Sequence, residues 1–257
     1  MRLVRVEEYT GTVGNSGLYA VTHYAYDALD NLTVVTDAHG ITTTMTYDPL
    51  GRKTAMHDPD MGDWRYHYDD VGNLTAQDDA EHQRICFYYD ELNRLEGKYY
   101  TDDASACSIN PTYAITYTYD QGVYGKGYRT KMEDESGFTA WTYDERGRVT
   151  REDKVIDGAT FTTRYTYDAL DRLIAQELPE DRSLSFTYDV AGNKIAETNA
   201  RGHTTTYDYD ALNRLVEVTD PEPFLYTQSY TYDAVGNQLT ATDRRGNTTD
   251  FEYDALN

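Results

Sequence analysis

Large side chains recur at alternating positions just before a series of Tyr-Asp dipeptides. In residues 42–47 (TTTMTY), for example, Met45 and Tyr47 alternate with threonines. A period of two places such residues on one face of a β-strand, and threonine favours strands. The pattern predicts strands and excludes amphipathic helices. The large residues two positions before each dipeptide tyrosine are Tyr24, Met45, Tyr66, Phe87, Tyr117, Trp141, Tyr165, Phe186, Tyr207, Tyr230 and Phe251.

A Tyr-Asp dipeptide opens eleven similar segments, mostly at intervals of 21 residues and at most 30. A fixed period marks an internal structural repeat. We interpret the strand tyrosine, the aspartate after it and the glycine that closes some of the turns as structural residues. This set is Tyr26, Asp27, Tyr47, Asp48, Gly51, Tyr68, Asp69, Gly72, Tyr89, Asp90, Tyr119, Asp120, Tyr143, Asp144, Gly147, Tyr167, Asp168, Tyr188, Asp189, Gly192, Tyr209, Asp210, Tyr232, Asp233, Gly236, Tyr253 and Asp254.

Each aspartate begins a predicted turn. Residues 48–51 (DPLG) follow the preferred order of a type I turn. Where the glycine is missing, Asp or Asn takes its place, and both tolerate a left-handed backbone. A second Asp/Asn-x-x-Gly turn follows about ten residues later, at 37–40, 134–137, 199–202 and 243–246. Each repeat is therefore strand, turn, strand, turn, with antiparallel neighbours.

The predicted fold is all-β: a long antiparallel meander of β-hairpin repeats with roughly 20 strands, each about six residues long. A sheet of that width curls, splits or closes, so we expect a spiral shell or an open β-strip with one aromatic–aliphatic face. We expect one domain over residues 1–257, with regular repeats from near residue 21. Residues 99–135 form an irregular insertion, either a functional loop or a tolerated insertion at a strand tip. Residues 253–257 stop part-way through a repeat, so we expect a piece of a longer protein.

The amino-acid composition limits the classes of possible binding partner. The formal net charge of −22 argues against nucleic acid and anionic membranes. With 13% aromatic residues, the chain is predicted to be folded. The acidity either maintains solubility or lines a wall that faces cations or a cationic cargo. No run approaches the roughly 20 apolar residues of a membrane span, and residues 1–10 contain no signal core.

Candidate chemistry is sparse. The acids Asp58, Asp60 and Asp63 fall where turns need them, and the calcium-loop alternative lacks the later glutamate of an EF-hand. The six histidines show no metal-ligand spacing. Cys86 and Cys107 form either a disulfide or two free thiols. We therefore predict no catalytic, cofactor-binding or metal-binding residue, no cofactor and no enzymatic activity.

The pattern aromatic-x-Tyr-Asp-x-Leu-Gly-Asn/Arg-Leu, as in residues 66–74 (YHYDDVGNL), resembles the YD repeat of RHS proteins. The resemblance covers the chain from about residue 21. Similar repeats occur in bacterial RHS polymorphic toxins, toxin-complex C components, wall-associated proteins and teneurins. In that family they spiral into a hollow β-cocoon, which in the bacterial toxins holds a C-terminal toxic polypeptide. The family's core-terminating Asp-Pro-x-Gly-Leu segment is missing, so no self-cleavage aspartate is carried over.

The resemblance implies a structural scaffold, a wall segment that encapsulates or presents a C-terminal cargo. Its expected partners are the rest of the same RHS polypeptide and its toxin cargo, with glycans as a further candidate. The expected location is secreted or at the cell surface. The alternative function is a carbohydrate- or partner-binding adhesion module. Buried repeat tyrosines favour the scaffold, whereas an exposed aromatic groove favours sugar binding.

Overall fold

The computed structural model describes residues 2–10, 17–102, 106–109 and 111–253. These residues form 22 β-strands and no helix, which confirms the all-β prediction. The strands are β1 Leu3–Thr10, β2 Gly17–Tyr26, β3 Leu32–Thr36, β4 Thr42–Tyr47, β5 Lys53–Asp58, β6 Gly62–Tyr68, β7 Leu74–Asp78, β8 Arg84–Tyr89, β9 Leu95–Thr101, β10 Ile115–Tyr119, β11 Arg129–Asp134, β12 Gly137–Tyr143, β13 Val149–Ile156, β14 Ala159–Tyr167, β15 Leu173–Leu178, β16 Arg182–Tyr188, β17 Lys194–Thr198, β18 Thr204–Tyr209, β19 Leu215–Thr219, β20 Thr227–Tyr232, β21 Gln238–Thr242 and β22 Thr248–Tyr253.

The chain divides into two compact units. Unit 1 comprises Met1–Met61 and Phe186–Asn257, and unit 2 comprises Gly62–Ser185. In unit 2 each strand from β6 to β15 pairs with the next one along the chain, always antiparallel. This is the predicted meander of hairpins. The single-domain assignment for residues 1–257 stays a prediction.

Unit 1 departs from a simple meander at β1. This strand pairs with β2 on one side, where Val6 lies opposite Thr22, and with β22 on the other, where Val6 lies opposite Phe251. The sheet of unit 1 therefore runs β17 to β22, then β1 to β5. β1 and β22 are hydrogen-bonded neighbours, which the repeat pattern alone did not indicate.

Burial alternates along the strands, as the period of two predicts. In β4, Met45 and Tyr47 are half-buried, whereas Thr44 and Thr46 are exposed. Few side chains are fully enclosed: the buried apolar residues of the described chain are Ala76, Cys86 and Tyr117. Within each unit the described strands contact their lateral neighbours, and most of their inward side chains are half-buried.

The described part of the irregular insertion is held against β8 and β9 of unit 2. Cys86 and Cys107 form a disulfide with a Cα–Cα distance of 5.8 Å, which settles the alternative that the sequence left open. Tyr88 packs on Tyr113 with ring centroids 5.3 Å apart. A Cβ on Gly97 would lie 2.4 Å from the Tyr113 ring, so only glycine allows this close approach. Cys86 and Tyr88 alternate with Tyr89 in β8, so these contacts lie on the face opposite the repeat tyrosine.

Residues 134–137 form a four-residue turn as predicted. In this turn Asp134 pairs directly with Gly137, because β11 and β12 continue their ladder to the tip. A turn at residues 79–82 was not predicted, since His82 stands where glycine was sought. His82 has a φ of 63°, in the left-handed region.

Candidate functional site

The turn after each repeat tyrosine is built around its aspartate. Oδ1 of Asp168 accepts hydrogen bonds from the main-chain N–H groups of Leu170 at 2.9 Å and Arg172 at 3.0 Å. Oδ2 accepts the Nε–H of Arg172 at 2.7 Å. The main chain adds a bond from the N–H of Asp168 to the carbonyl of Arg172, 2.9 Å long. One carboxylate thus orders the whole turn, an arrangement typical of Asx-turns.

These bonds favour the ionised carboxylate. The main-chain N–H of Arg172 is the largest influence that lowers the pKa of Asp168 below its ordinary value. At the preceding and following hairpins, the largest influence on the aspartate pKa is the side chain four residues later. Arg148 lowers the pKa of Asp144, and Asn193 lowers that of Asp189. A carboxylate held by two or three donors has a depressed pKa.

The residue four positions after the turn aspartate is a functional part of the turn that the sequence analysis did not assign. It is always Arg or Asn in the regular turns, and its side chain bonds Oδ2 of the aspartate at 2.5–2.9 Å. The pairs are Asp27–Asn31, Asp48–Arg52, Asp69–Asn73, Asp90–Arg94, Asp144–Arg148, Asp168–Arg172, Asp189–Asn193, Asp210–Arg214 and Asp233–Asn237. The recurrence of Arg or Asn at this repeat position is the sequence signal that could have revealed its role in the turn.

The turns close in the left-handed region, as predicted from their glycines. Gly51 has a φ of 76° and Gly192 a φ of 95°. Asp30 and Asn213 occupy the equivalent position with φ values of 67° and 60°. Asp120 departs from the pattern, because its Oδ1 accepts the N–H of Gly127 across a wider loop. Asp254 lies outside the described residues.

Repeat tyrosines tie most of the hairpins to the preceding ones. The ladder between β13 and β14 ends at the pair Arg151 and Arg164. Beyond it, the Tyr167 hydroxyl donates to the carbonyl of Val149 over 2.9 Å. The same bond, 2.6–3.0 Å long, joins Tyr26 to Leu3, Tyr47 to Leu32, Tyr89 to Leu74, Tyr119 to Leu95, Tyr143 to Arg129, Tyr209 to Lys194, Tyr232 to Leu215 and Tyr253 to Gln238.

The rings of these tyrosines are half-buried. Burial raises the pKa of Tyr167, because desolvation disfavours the phenolate. The Arg148 guanidinium of the preceding turn lies over the Tyr167 ring, 4.8 Å from its centroid. Arg94 lies over Tyr119 in the same way at 4.4 Å. The turn arginine therefore joins its own aspartate to the next tyrosine by ion pairing and a cation–π contact.

Neighbouring turns also bond side by side. In unit 2 the Asn73 amide donates to Oδ1 of Asn93 over 3.0 Å, and Nη1 of Arg148 donates to Oδ1 of Asp171 over 2.6 Å. In unit 1 Asn193 donates to Asn213 over 2.9 Å. The Tyr-Asp turns therefore form a bonded row along one edge of each sheet.

One polar cluster lies apart from the repeat motif. Asp78, only 8% exposed, accepts bonds from Nε of Arg84 at 2.5 Å and shares a 2.9 Å contact with Nε2 of His67. The Arg84 bond is the largest influence that lowers the Asp78 pKa. The three residues line an open cavity of about 480 Å³. Arg84 and His67 bond to both carboxylate oxygens, so Asp78 serves as the counter-ion of Arg84.

The other candidate acids and histidines are dispersed. Oδ1 of Asp58 accepts the N–H groups of Asp60 and Met61, and Oδ2 accepts the Thr43 hydroxyl at 2.6 Å, a turn arrangement. All six histidines are exposed. Among the residues that the structure describes, no group of three or more His, Cys, Asp or Glu side chains could hold a metal ion. That same portion contains no helix long and apolar enough to cross a membrane.

The family comparison agrees with this repeat geometry. The family model described as RHS Repeat matches residues 26–60, 167–204 and 188–223. The chain contains RHS repeats. The resemblance of the Tyr-Asp motif is thereby confirmed, and the matched segments hold the hairpins around Asp27, Asp48, Asp168, Asp189 and Asp210. A comparison with curated proteins finds no match.

Solved structures share the fold of this chain. The crystal structure of TcdB2-TccC3 matches with a TM-score of 0.54 and 17% identity over 94% of this chain and 15% of that one. The same complex without its hypervariable C-terminal region gives a TM-score of 0.53 at 17% identity, covering 94% and 15%. The Photorhabdus luminescens Tc holotoxin pore gives 0.53 at 17% identity, covering 93% and 14%. The chain therefore spans a small part of those proteins, and at this identity the likeness concerns the fold alone.

Proposed function

We propose that this chain is a wall segment of an RHS-type scaffold that encapsulates or presents a C-terminal cargo such as a toxic polypeptide. The observation that carries the proposal is the series of tyrosine hydroxyls, each bonded to a carbonyl of the preceding hairpin. These bonds extend a sheet laterally and leave the hydroxyls committed to the main chain. The partners are the rest of the same polypeptide and the cargo.

The polar groups support a structural and non-catalytic role. The turn aspartates are saturated by main-chain and side-chain donors, as at Asp168. A catalytic carboxylate needs a free oxygen for its substrate. Asp78 has its oxygens occupied by Arg84 and His67. The chemistry-bearing side chains that recur most often therefore serve the fold.

We place the protein outside the cytosol, secreted or at the cell surface. The disulfide between Cys86 and Cys107 supports this location, because disulfides persist mainly in oxidising compartments. The shared fold with TcdB2-TccC3 agrees with a toxin-complex setting.

A second candidate function is binding of a carbohydrate or a protein partner, and it rests on one loop. Phe224 and Tyr226 are 68% and 53% exposed, and their rings are stacked with centroids 6.1 Å apart. Exposed aromatic pairs are common anchors in recognition. A glycan screen with the protein and its Phe224→Ala variant checks this function, and equal or absent binding by both excludes this loop as the site.

Truncating the repeat tyrosines separates the scaffold from the binding module. Tyr167→Ala and Tyr209→Ala each remove a half-buried ring and a hydroxyl bond. We expect each to lower the free energy of unfolding by about 2–3 kcal/mol, below the 3–5 kcal/mol of a fully buried aromatic. Tyr226→Ala, at an exposed ring, is the control and should change it by less than about 0.5 kcal/mol. Unchanged stability of both repeat variants, with lost glycan binding, would contradict the scaffold.

The cargo role is tested in the full-length polypeptide. Limited proteolysis should leave a segment C-terminal to the repeats protected in the wild type. The protection should fall in the Tyr167→Ala/Tyr209→Ala double variant, because the wall opens locally more often. Cleavage of that segment at equal rates in both proteins would count against encapsulation.

A further inference from the structure

The Tyr-Asp turns of unit 1 carry exposed aliphatic side chains at their tips. Leu29 is 69% exposed, Leu50 76%, Val190 108%, Leu212 66% and Val235 70%. We call these five residues the tip row. Val190 is the first central residue of its turn, and the other four are the second. Tips of solvated turns are ordinarily polar or glycine, so an aliphatic residue at every one of these tips needs a cause outside the turn.

The turn geometry itself does not require an apolar tip. At Leu50, Oδ1 of Asp48 accepts the tip N–H at 2.9 Å. At His39, on the opposite edge of the sheet, Oδ1 of Asp37 accepts the tip N–H at 2.9 Å. The glycines that close the two turns have φ values of 76° and 78°. The turns are therefore equivalent, yet the Asp/Asn-x-x-Gly turns of the opposite edge have polar or charged tips, namely His39, Arg201 and Arg245.

Side-chain bonds hold parts of the tip row at a fixed spacing. Asn193 donates to Asn213 over 2.9 Å, and Nη1 of Arg214 donates to the carbonyl of Asp233 over 2.8 Å. Successive tips from Val190 to Val235 are two strands apart, which is about 9–10 Å. The row is thus a rigid series of apolar projections with the period of the repeat.

We propose that the tip row is a contact surface for a second copy of this chain. A partner built from the same repeat has projections and notches of the same period, so two rows can interlock along their length. Each exposed tip offers about 100 Å² of apolar surface, and the five together about 500 Å². That approaches the roughly 800 Å² per partner of a standard interface, which fits a weak, reversible dimer.

Charge sets the conditions of this association. Each copy carries a net charge of −22, so two copies repel each other at low ionic strength. Salt screens that repulsion, while burial of the aliphatic tips is unaffected by screening. The dimer therefore tightens as salt is added, the reverse of an interface made of ion pairs.

Sedimentation equilibrium tests the proposal with the whole chain over a range of concentrations and salt. The tip variant carries Leu29→Gln, Leu50→Gln, Val190→Thr, Leu212→Gln and Val235→Thr. We expect wild-type dimers whose dissociation constant falls with added salt, and at least about tenfold weaker association for the tip variant. Its denaturation midpoint should match the wild type, because the changed side chains are exposed.

The matched control removes exposed apolar surface from the opposite edge. Leu18→Gln/Tyr19→Gln changes two residues that are 54% and 73% exposed and leaves the tip row intact. This variant should associate like the wild type. A monomeric wild type at every concentration and salt level would overturn the second-copy proposal and assign the row to a different partner. Association that survives in the tip variant would overturn it as well.

Discussion

The hydroxyl of Tyr167 donates a hydrogen bond to the main-chain carbonyl of Val149 over 2.9 Å. It does so just beyond the last ladder pair between β13 and β14, where main-chain pairing has stopped. Tyr167→Phe keeps the ring and leaves this carbonyl without that donor. We expect a loss of about 1 kcal/mol in the free energy of unfolding, measured by urea denaturation.

Tyr226→Phe is the control for this prediction. The Tyr226 ring is 53% exposed and stacks on Phe224, and Phe keeps that contact. Its effect should stay below about 0.5 kcal/mol. Equal effects of the two Tyr→Phe changes would show that the Tyr167 hydroxyl bond contributes nothing to stability.

Gly192 isolates the backbone requirement of the turn. Its φ is +95°, and a Cβ placed there meets nothing within 4 Å. Any cost of substitution therefore comes from the backbone conformation. Gly192→Val should destabilise by about 1–2 kcal/mol. Gly192→Asn should cost less, because Asn occupies the equivalent position at Asn93 and Asn213. The order of the two denaturation midpoints decides the prediction, and a less stable Asn variant would refute it.

The turn carboxylates predict loss of stability in acid. The pKa of Asp168 is lowered in the folded protein, so its contribution is fully present above the unfolded value of about 3.9. It is lost as the pH falls through the folded pKa. Asp168→Asn does not titrate, yet its amide oxygen can still accept N–H bonds, as Asn199 does in its own turn.

The stability difference between wild type and Asp168→Asn should therefore be constant above about pH 5 and shrink below about pH 4. Urea denaturation at each pH measures this difference. Urea is uncharged, so it does not screen the electrostatic interactions as a denaturing salt would. Other carboxylates titrate equally in both proteins and cancel in the difference. A difference that does not vary with pH would exclude the proposed linkage.

The disulfide should stabilise the protein against unfolding. Cys86 and Cys107 are 21 residues apart, and closing a loop of that length contributes about 3 kcal/mol. Denaturation with and without reductant gives the value. The Cys86→Ala/Cys107→Ala variant is the control, and its denaturation midpoint should be the same with and without reductant. Wild-type midpoints that stay equal after complete reduction would contradict the prediction.

Local pattern was enough to find the strands and most turns. The alternation at Met45 and Tyr47 and the turn at 48–51 depend on neighbours within one hairpin, so the sequence contains the whole signal. The turn at 79–82 was missed because histidine is less common than glycine in the left-handed region. His82 adopts this conformation in a turn that is held by the bonds of Asp79 to the N–H groups on either side.

Contacts between hairpins were harder to predict. The period of 21 residues located Tyr167, but not the bond from its hydroxyl to Val149, because that requires the register of two strands. The disulfide also depends on how the insertion folds back over β8, and spacing alone left it open. The ion pair of Asp78 and Arg84 replaces the threonine pair found at Thr36 and Thr42, and nothing in the local sequence marks that position as buried.

The pairing of β1 with β22 has a consequence during protein synthesis. Residues 5–8 bond to residues 249–252, so one edge of β1 has no partner until about 240 further residues have been made. At 5–20 residues per second this interval lasts roughly 10–50 s. Meanwhile β1 presents unpaired main-chain groups to other nascent chains, a known aggregation hazard of edge strands. Synthesis of β22, rather than formation of any single hairpin, therefore sets the time at which β1 is protected from mispairing.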